Sequence, residues 1–477
     1  MSRSTAAVVV FAAAAAVLVL EILALRMLAP YVGLTLQTST TVIGVVLAGI
    51  ACGAGAGGAL ADRIDPRVLL AWALVAGGLL TMATVPIVRV LGDALEGAQA
   101  AAALPVALAA LFLPAAVLSV VTPATAKLQL GSLTVAGSVV GRLSAWATAG
   151  ALAGTFTAGY VLVPLAPTVP TVLVIGAALV VAGLAAALRL RMAGTTAVLV
   201  VAGLAAVAVA APVALGQRCD VESAYHCADV RADPRRASGR LLVLDGVPNS
   251  YVDLKDPRHL QLDYARWLAP ALGRARDAVF IGGGGFTLPR YLAAVRPASR
   301  SVVLEVDGEL VELARSRLGL GDVPGMRVRT GDARMTLRRE RDRSADLVVG
   351  DAFGGPVVPW HLTTREFLAD VRRVLRPGGV YAINVIDLGP QRLARAEAAT
   401  LVDSFADVAV VRRPRAGGGG RNLVLLASDR ALSPRELPPA RDGVEVLRGD
   451  AVRRFAGDAP VLRDDYAPAD QLLTPLP

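Results

Sequence analysis

The sequence predicts two fold classes in one chain: an α-helical membrane bundle of about seven transmembrane helices, followed by an α/β Rossmann-like domain with a small β-rich lead-in. Apolar runs long enough to cross a bilayer recur through residues 1–216. Most charged residues lie after position 216, where strand-like runs alternate with helical segments. We therefore expect a transmembrane helical domain at 1–216, a β-rich lead-in at 217–270 and a Rossmann-like domain at 271–477.

The first 216 residues contain seven apolar runs of about 20 residues, the length of a membrane-spanning helix. Glycine and alanine dominate these runs, as between Gly49 and Gly58. Small residues let helix backbones approach closely, since lipid supplies no hydrophobic drive for helix association. The expected spans are 5–28, 38–61, 68–91, 102–123, 144–165, 168–188 and 195–215.

Loop charges predict how this bundle is oriented. Seven basic residues fall on one side of the predicted bundle, whereas only Arg26 and Arg89 fall on the other. The basic side of a membrane protein is usually cytoplasmic. We therefore expect a multi-pass cell-membrane protein with its N-terminus inside and its soluble domain outside. The seven are Arg3, Arg63, Arg67, Lys127, Arg142, Arg189 and Arg191.

Charge and cysteine content limit the class of ligand. The net charge of +9 is spread among acidic residues without an aromatic-interleaved basic stripe, so we expect no nucleic-acid partner. No residues have the spacing of a zinc site, and we expect no metal. Cys219 and Cys227 follow the last span closely, and two readings stay open: a disulfide formed outside the membrane, or two unrelated thiols.

After residue 217 the pattern indicates a parallel sheet whose strand ends carry the functional residues. Gly282, Gly283 and Gly284 follow the first apolar strand, where missing side chains let a ligand pack on the backbone. Glu305 ends the next strand, where a carboxylate can accept hydrogen bonds from both ribose hydroxyls. The expected strands are 277–281, 301–307, 326–329, 345–349 and 379–385, with two more flanking a glycine-rich hairpin tip at 415–421.

Two further acids complete this predicted edge. Asp332, followed by Ala333, ends the third strand, where it can receive an adenine amino group. Asp351 ends the fourth strand, beside the reactive end of such a ligand. Each acid alone is equally well explained as a helix cap or a solvated turn, but acids at successive strand ends favour a ligand site. No pyrophosphate-binding glycine motif is present, so a mononucleoside fits better than a dinucleotide.

These residues resemble those of the spermidine synthase (polyamine aminopropyltransferase) family over about 220–475. Its members transfer an aminopropyl group from decarboxylated S-adenosylmethionine to an amine. The apolar half is similar to the seven-span region of membrane-fused members. The resemblance implies that Glu305 binds ribose, that Asp332 and Ala333 bind adenine, and that Asp351 is the catalytic acid. It adds three residues to the nucleoside side: Tyr225 and His226, where the family has Tyr-Gln, and Asn249, where it has Gln.

On the amine side the sequence departs from the family pattern. Gly285 stands where the family's glycine motif has Asp, with Phe286 after it. Gly354 stands where the second Asp of Asp-x-x-Asp-Pro is expected, and Gln261 falls within the stretch aligned with the family's Tyr-His-Glu. Because ammonium groups need carboxylates, the acceptor is not expected to be putrescine. We place Gln261, Gly285, Phe286, Gly354 and His361 on the acceptor side.

Three functions remain open from the sequence. The first is a transferase that uses decarboxylated S-adenosylmethionine or S-adenosylmethionine as co-substrate, with an unknown small-molecule acceptor. The second is a methyltransferase-type enzyme of the same fold, and the third is a non-catalytic nucleoside sensor or transport-coupled domain. The partners expected are the lipid bilayer and the acceptor; a homodimer is allowed but not required by any feature of the sequence.

Overall fold

The computed structural model of the chain describes residues 1–32, 36–95, 100–132, 135–216, 219–354, 358–387, 390–414, 422–441 and 443–473. These residues form two compact units, Met1–Arg218 and Cys219–Leu476. The first unit is helical and the second is built around two sheets. The predicted glycine-rich hairpin tip at 415–421 lies outside the described residues.

Among the described residues of the first unit, seven helical segments are long and apolar enough to cross a membrane, as the sequence predicts. The fourth and fifth each contain a π-helical turn, at Leu108–Phe112 and Ala158–Leu162. The helices are α1 (Arg3–Val32), α2 (Leu36–Ala61), α3 (Pro66–Ala94), α4 (Ala100–Ala107), α5 (Leu113–Ser119), α6 (Val121–Gln129), α7 (Ala136–Thr157), α8 (Val163–Leu165), α9 (Thr168–Arg189) and α10 (Thr195–Ala214).

Close backbone approaches hold this bundle together. Helix α1 packs along α7, α3 along α9 and α2 along α5. A Cβ atom at Gly53 would overlap the carbonyl group of Ala116, and one at Gly150 would overlap that of Phe11. The small residues therefore lie at helix contacts, where the absence of a side chain allows dense packing between apolar surfaces.

The second unit opens with a four-stranded antiparallel sheet in the order β1-β2-β3-β4. These strands form the predicted β-rich lead-in. A disulfide joins Cys219 and Cys227, whose Cα atoms are 5.5 Å apart, and so ties the start of the unit to β2. The strands are β1 (Val221–Glu222), β2 (Cys227–Asp233), β3 (Arg236–Leu244) and β4 (Val247–Asp253).

An eight-stranded sheet follows, in the order β12-β10-β11-β9-β8-β5-β6-β7. The five strands from β9 to β7 in this order run parallel. The other three strands, β11, β10 and β12, extend the sheet with antiparallel pairings. The predicted α/β Rossmann-like class is confirmed. The strands are β5 (Asp277–Ile281), β6 (Arg300–Glu305), β7 (Met326–Thr330), β8 (Ala345–Gly350), β9 (Leu375–Ile386), β10 (Asp407–Arg412), β11 (Asn422–Ser428) and β12 (Glu445–Arg448).

Helices cover both faces of this sheet, because side chains alternate across each strand. In β5, Ala278 and Phe280 enter one apolar core, while Val279 and Ile281 enter the other. The central strands are therefore buried on both faces, and their polar residues are confined to the strand ends. The helices are α11 (Asp263–Leu272), α12 (Thr287–Val295), α13 (Gly308–Arg317), α14 (Ala333–Leu337), α15 (Arg365–Val374), α16 (Arg392–Ser404), α17 (Asp450–Ala456) and α18 (Ala469–Leu472).

Candidate functional site

The carboxyl ends of β5, β6, β7 and β8 meet at one edge of the sheet and bring the predicted acids together. Glu305 is the last residue of β6, Asp332 follows β7 and Asp351 follows β8. Gly282 follows β5 with a positive φ of 93°, and a Cβ there would overlap the backbone of Asp351. Only glycine fits at this position, because the turn after β5 packs closely against the residue that follows β8.

Glu305 is buried, and its carboxylate fixes the glycine loop through hydrogen bonds to the loop amides. Its Oε2 accepts hydrogen bonds from the amides of Gly283 (2.6 Å) and Gly284 (3.3 Å). Its Oε1 accepts one from the amide of Asp307 (2.9 Å). A carboxylate has about four lone-pair sites, so it keeps acceptor capacity for a hydroxyl. A fixed carboxylate beside a glycine loop is an arrangement that can bind the ribose of a nucleoside.

Asp332 lies at the next strand end and performs two structural tasks. Its Oδ1 accepts the amide of Met335 (3.0 Å) and so caps α14. Its Oδ2 lies 2.8 Å from Nε2 of His361. His361, which was expected on the acceptor side, lies instead in a loop that folds onto Asp332. Ala333, the next residue, is buried.

His226 and Asp245 form a buried pair beside the same edge. The imidazole Nδ1 lies 2.9 Å from Oδ2 of Asp245, whose Oδ1 accepts the amide of Cys227 (3.0 Å). Burial acts to lower the pKa of His226, but the hydrogen bond to Asp245 and the charges of Asp307 and Glu305 outweigh it and raise the pKa above the usual value. With Nδ1 engaged, Nε2 is the ring atom left for a ligand. The neighbouring Tyr225 is exposed.

Asp351 is the acid in the site whose pKa is raised by burial, and this shift indicates a chemical role. Burial raises its pKa to about 6, although hydrogen bonds from Asn384 and Tyr264 act to lower it. The amide Nδ2 of Asn384 donates to Oδ1 at 2.9 Å. The hydroxyl of Tyr264, itself buried, contacts both Asp351 and Ser250. A carboxylate that is held in place and titrates near neutral pH is suited to take up a proton.

Sequence reasoning missed Tyr264, which was not among the residues assigned to the acceptor side. Helix α11 begins at Asp263, and Tyr264, Leu268 and Ala271 share its buried face. The helical spacing of these residues could have marked Tyr264 as the aromatic residue nearest the helix start. Asn384 and Asn422 were missed because their only sequence feature is a place on an apolar strand.

A cavity of about 370 Å³ lies beside Asp351, and neither Glu305 nor Asp332 lines it. It is lined by side chains from the nucleoside side, such as His226 and Asn249, and by Gln261, Tyr264 and Asp351. A single ligand tail that enters the cavity can therefore contact both sets of residues. The remaining lining residues are Leu244, Val247, Pro248, Leu262, Asp263, Phe353, Asn384, Ile386 and Asn422.

Of the five residues expected on the acceptor side, only Gln261 lines this cavity; His361, Phe286, Gly285 and Gly354 do not. Phe286 has a left-handed backbone (φ 58°) and is fully buried in an apolar core, so its assignment to the acceptor side is corrected. A Cβ at Gly285 would lie 2.9 Å from Cβ of Ser250, so the backbone has no room for an acidic side chain. Gly354 is exposed, with open space around its Cβ position.

Comparisons with known proteins agree with this geometry. Residues 280–383 match the model of a methyltransferase domain. The chain is 30% identical to a polyamine aminopropyltransferase of Vibrio vulnificus over 37% of this chain and 60% of the relative. It is 28% identical to a probable polyamine aminopropyl transferase of Bifidobacterium longum over 53% of this chain and 61% of the relative. The chain thus spans about three fifths of these curated relatives.

Among solved structures, a probable spermidine synthase from Corynebacterium glutamicum is 32% identical in sequence. The match covers 50% of this chain and 94% of that one, with a TM-score of 0.45.

Proposed function

Because the C-terminal half of this chain belongs to the spermidine synthase (polyamine aminopropyltransferase) family, we propose that it is a membrane-anchored transferase that uses an S-adenosylmethionine-type sulfonium donor and an acceptor other than putrescine. Asp351 carries the proposal. It is a carboxylate with a pKa of about 6, fixed by two hydrogen-bond donors, on the wall of a cavity that His226 and Asn249 also line.

The proposed reaction needs alignment and one proton acceptor. A lone pair of the acceptor attacks a carbon bonded to the sulfonium sulfur, and the carbon–sulfur bond breaks. The bonding electrons pass to sulfur, which leaves as a neutral thioether, and the acceptor's proton passes to Asp351. Glu305 and Asp332 would hold the nucleoside, so that the reacting carbon lies near Asp351. Asn384 and Tyr264 position the carboxylate.

The acceptor is proposed to differ from putrescine because the acidic groups expected for a diamine are absent at Gly285 and Gly354. Asp263, the other carboxylate on the cavity wall, lies 2.5 Å from Arg413 and is neutralised by it. A second ammonium group of a diamine would therefore find no unpaired carboxylate among the described lining residues. Losing one charge-assisted contact costs roughly 1.5–3 kcal/mol.

The test is an assay of the full-length protein in detergent with decarboxylated S-adenosylmethionine and putrescine, scored for spermidine by mass spectrometry. Turnover near 1 per second or faster, an ordinary enzyme rate, would overturn the proposal about the acceptor. Gly354→Asp should raise any trace activity, because its Cβ meets no neighbour. Gly354→Asn is the matched control of equal size without the charge. Gly285→Asp is not a clean test, since Ser250 obstructs it.

A methyltransferase is the second candidate, favoured by the match of residues 280–383 to a methyltransferase domain. It would use the same nucleoside edge and the same carboxylate but would transfer the methyl group of S-adenosylmethionine. Mass spectrometry of the thioether product separates the two: S-adenosylhomocysteine indicates methyl transfer, and methylthioadenosine indicates transfer of the propyl-linked group. Nucleoside binding without any turnover would favour a sensor or transport-coupled domain instead.

We also propose that the soluble unit lies outside the cell membrane. Two observations support this: the basic residues of the loops fall mainly on the N-terminal side of the predicted bundle, and Cys219 and Cys227 form a disulfide just after the last span. A reporter enzyme that is active only in the cytoplasm, fused after Pro477, should be inactive. An active reporter would refute this sidedness.

A further inference from the structure

Four amide side chains line the cavity, those of Asn249, Gln261, Asn384 and Asn422, and their internal hydrogen bonds determine which of their groups remain for a ligand. Asn384 donates its Nδ2 to Asp351, which fixes the orientation of the amide. Its Oδ1 then accepts from Nδ2 of Asn422 at 3.0 Å. The oxygen of Asn384 is thus already engaged inside the protein, and N–H bonds on both amides remain for a ligand.

The other two amides on the wall follow the same pattern. Oδ1 of Asn249 accepts from the hydroxyl of Ser250 at 2.7 Å. Oε1 of Gln261 lies 3.2 Å from the ring nitrogen Nε2 of His259. In both cases the amide oxygen has one internal partner, and the NH₂ group remains available as a donor to a ligand. An ammonium ligand needs acceptors, whereas a carboxylate ligand needs donors of this kind.

The charged side chains on the cavity wall also favour a ligand that carries a carboxylate. Asp263 is paired with Arg413 (2.5 Å) and also lies 3.4 Å from Arg266. Asp351 is therefore the one carboxylate on the described cavity wall without a cationic side chain in contact. His226 adds an imidazole whose Nδ1 is bound to Asp245, which leaves Nε2. A cavity with one unpaired acid and several N–H donors suits a ligand tail that carries both an ammonium and a carboxylate group.

We propose that the donor is S-adenosylmethionine with its α-carboxylate intact, and that the carboxylate binds among the amide N–H groups of this cavity wall. A decarboxylated donor brings a sulfonium and an ammonium, two positive charges, to one unpaired carboxylate. The intact donor brings the same two charges with an internal counter-charge. His226 and Asn249, which are assigned to the nucleoside, line the same cavity as Asp351. We therefore attribute the carboxylate to the tail of the nucleoside donor and not to the acceptor.

The inference rests on the proposed nucleoside site, and the test separates the two. Calorimetry on the full-length protein in detergent compares three adenine thioethers: methylthioadenosine, which has no charged tail; S-adenosylhomocysteine, whose tail has an ammonium and a carboxylate; and decarboxylated S-adenosylhomocysteine, whose tail has only the ammonium. We expect S-adenosylhomocysteine to bind at least about tenfold tighter than its decarboxylated form, the effect of one charge-assisted contact.

Equal affinities, or tighter binding of the decarboxylated form, overturn the inference while the nucleoside site stands, provided that methylthioadenosine binds. If none of the three binds, the proposed function fails and the inference fails with it. The outcome is therefore decided by the ratio of two affinities measured on one preparation, and not by enzymatic activity.

Two variants test the residues directly. Asn249→Asp keeps the oxygen that accepts from Ser250 and replaces the NH₂ group by a carboxylate oxygen. Gln261→Glu makes the same change at an exposed position, where folding tolerates it. Each is expected to lower the preference for S-adenosylhomocysteine over its decarboxylated form by about tenfold. Gln471→Glu, an exposed residue that does not line the cavity, adds the same charge as a control. An unchanged ratio in both cavity variants, or an equal change in the control, contradicts the assignment.

Discussion

Replacing Asp351 by asparagine should stabilise the soluble unit and abolish transfer at the same time. The carboxylate is placed where burial raises its pKa to about 6, whereas an unfolded chain leaves it near its usual value of about 3.9. Asparagine has the same shape without the charge. Its oxygen can accept from Asn384, and its NH₂ group can face the hydroxyl of Tyr264, so the substitution leaves no partner unsatisfied.

The magnitude follows from the difference between the two pKa values. The folded state holds the proton more tightly, so the stability of the wild type falls as pH rises from about 4 to about 6, and the full penalty is present above about pH 7. Two pKa units correspond to about 3 kcal/mol at pH 8, and about half of that applies at pH 5. Because Asp351 is partly accessible through the cavity, a gain of about 1–3 kcal/mol is expected at pH 8.

Amide hydrogen exchange of peptides that cover β5 and β8 in the full-length protein measures this free energy apart from the helical unit. Asp263→Asn is the matched control: its carboxylate faces Arg413, so its loss should not stabilise the fold. We expect Asp351→Asn to retain nucleoside binding and to lose at least about a hundredfold in transfer rate, the usual contribution of a general base. A variant no more stable than wild type at pH 8, or a gain that does not shrink at pH 5, would refute this account of Asp351.

Three further outcomes are expected. Glu305→Ala should weaken nucleoside binding by about 1–3 kcal/mol, since buried hydroxyl partners are left unpaired; equal affinities in calorimetry would contradict the ribose assignment. Spermidine formation from putrescine should lie about two to four powers of ten below an ordinary enzyme rate, and Gly354→Asp should raise it, as measured by mass spectrometry. In intact cells with Cys52→Ser, Cys219 and Cys227 should react with an impermeant maleimide only after reduction; labelling without a reductant would argue against the disulfide.

The comparison of sequence and structure shows which parts of the fold follow from local patterns. The strand that ends at Ile281 and the one that ends at Glu305 were predicted within a few residues, because short apolar runs bounded by glycine or acid are typical of buried parallel strands. The seven apolar helices follow from length and hydropathy alone. The edge strand β12 was not predicted, since four residues carry too little periodicity.

The functional site likewise contains residues that local sequence patterns predict and residues that they do not. The acids at the strand ends could be predicted to lie together, because parallel strands place their carboxyl ends at one edge. His361 and Phe286 were predicted on the acceptor side, but the structure places both side chains elsewhere, for a physical reason. Sequence proximity to a motif does not fix which way a loop folds: His361 turns back to Asp332, and Phe286 turns into the apolar core.

The sequence by itself determined the two-part architecture, the placement of acids at successive strand ends and the presence of glycine at positions 285 and 354. Each of these depends on local composition or on the order of residues along one strand and its turn. Only the tertiary structure decided that Tyr264 and Asn384 contact Asp351 and that Asn422 continues the chain of hydrogen bonds. These residues lie on separate elements, and their hydrogen-bond direction is set by packing between those elements, which no local pattern encodes.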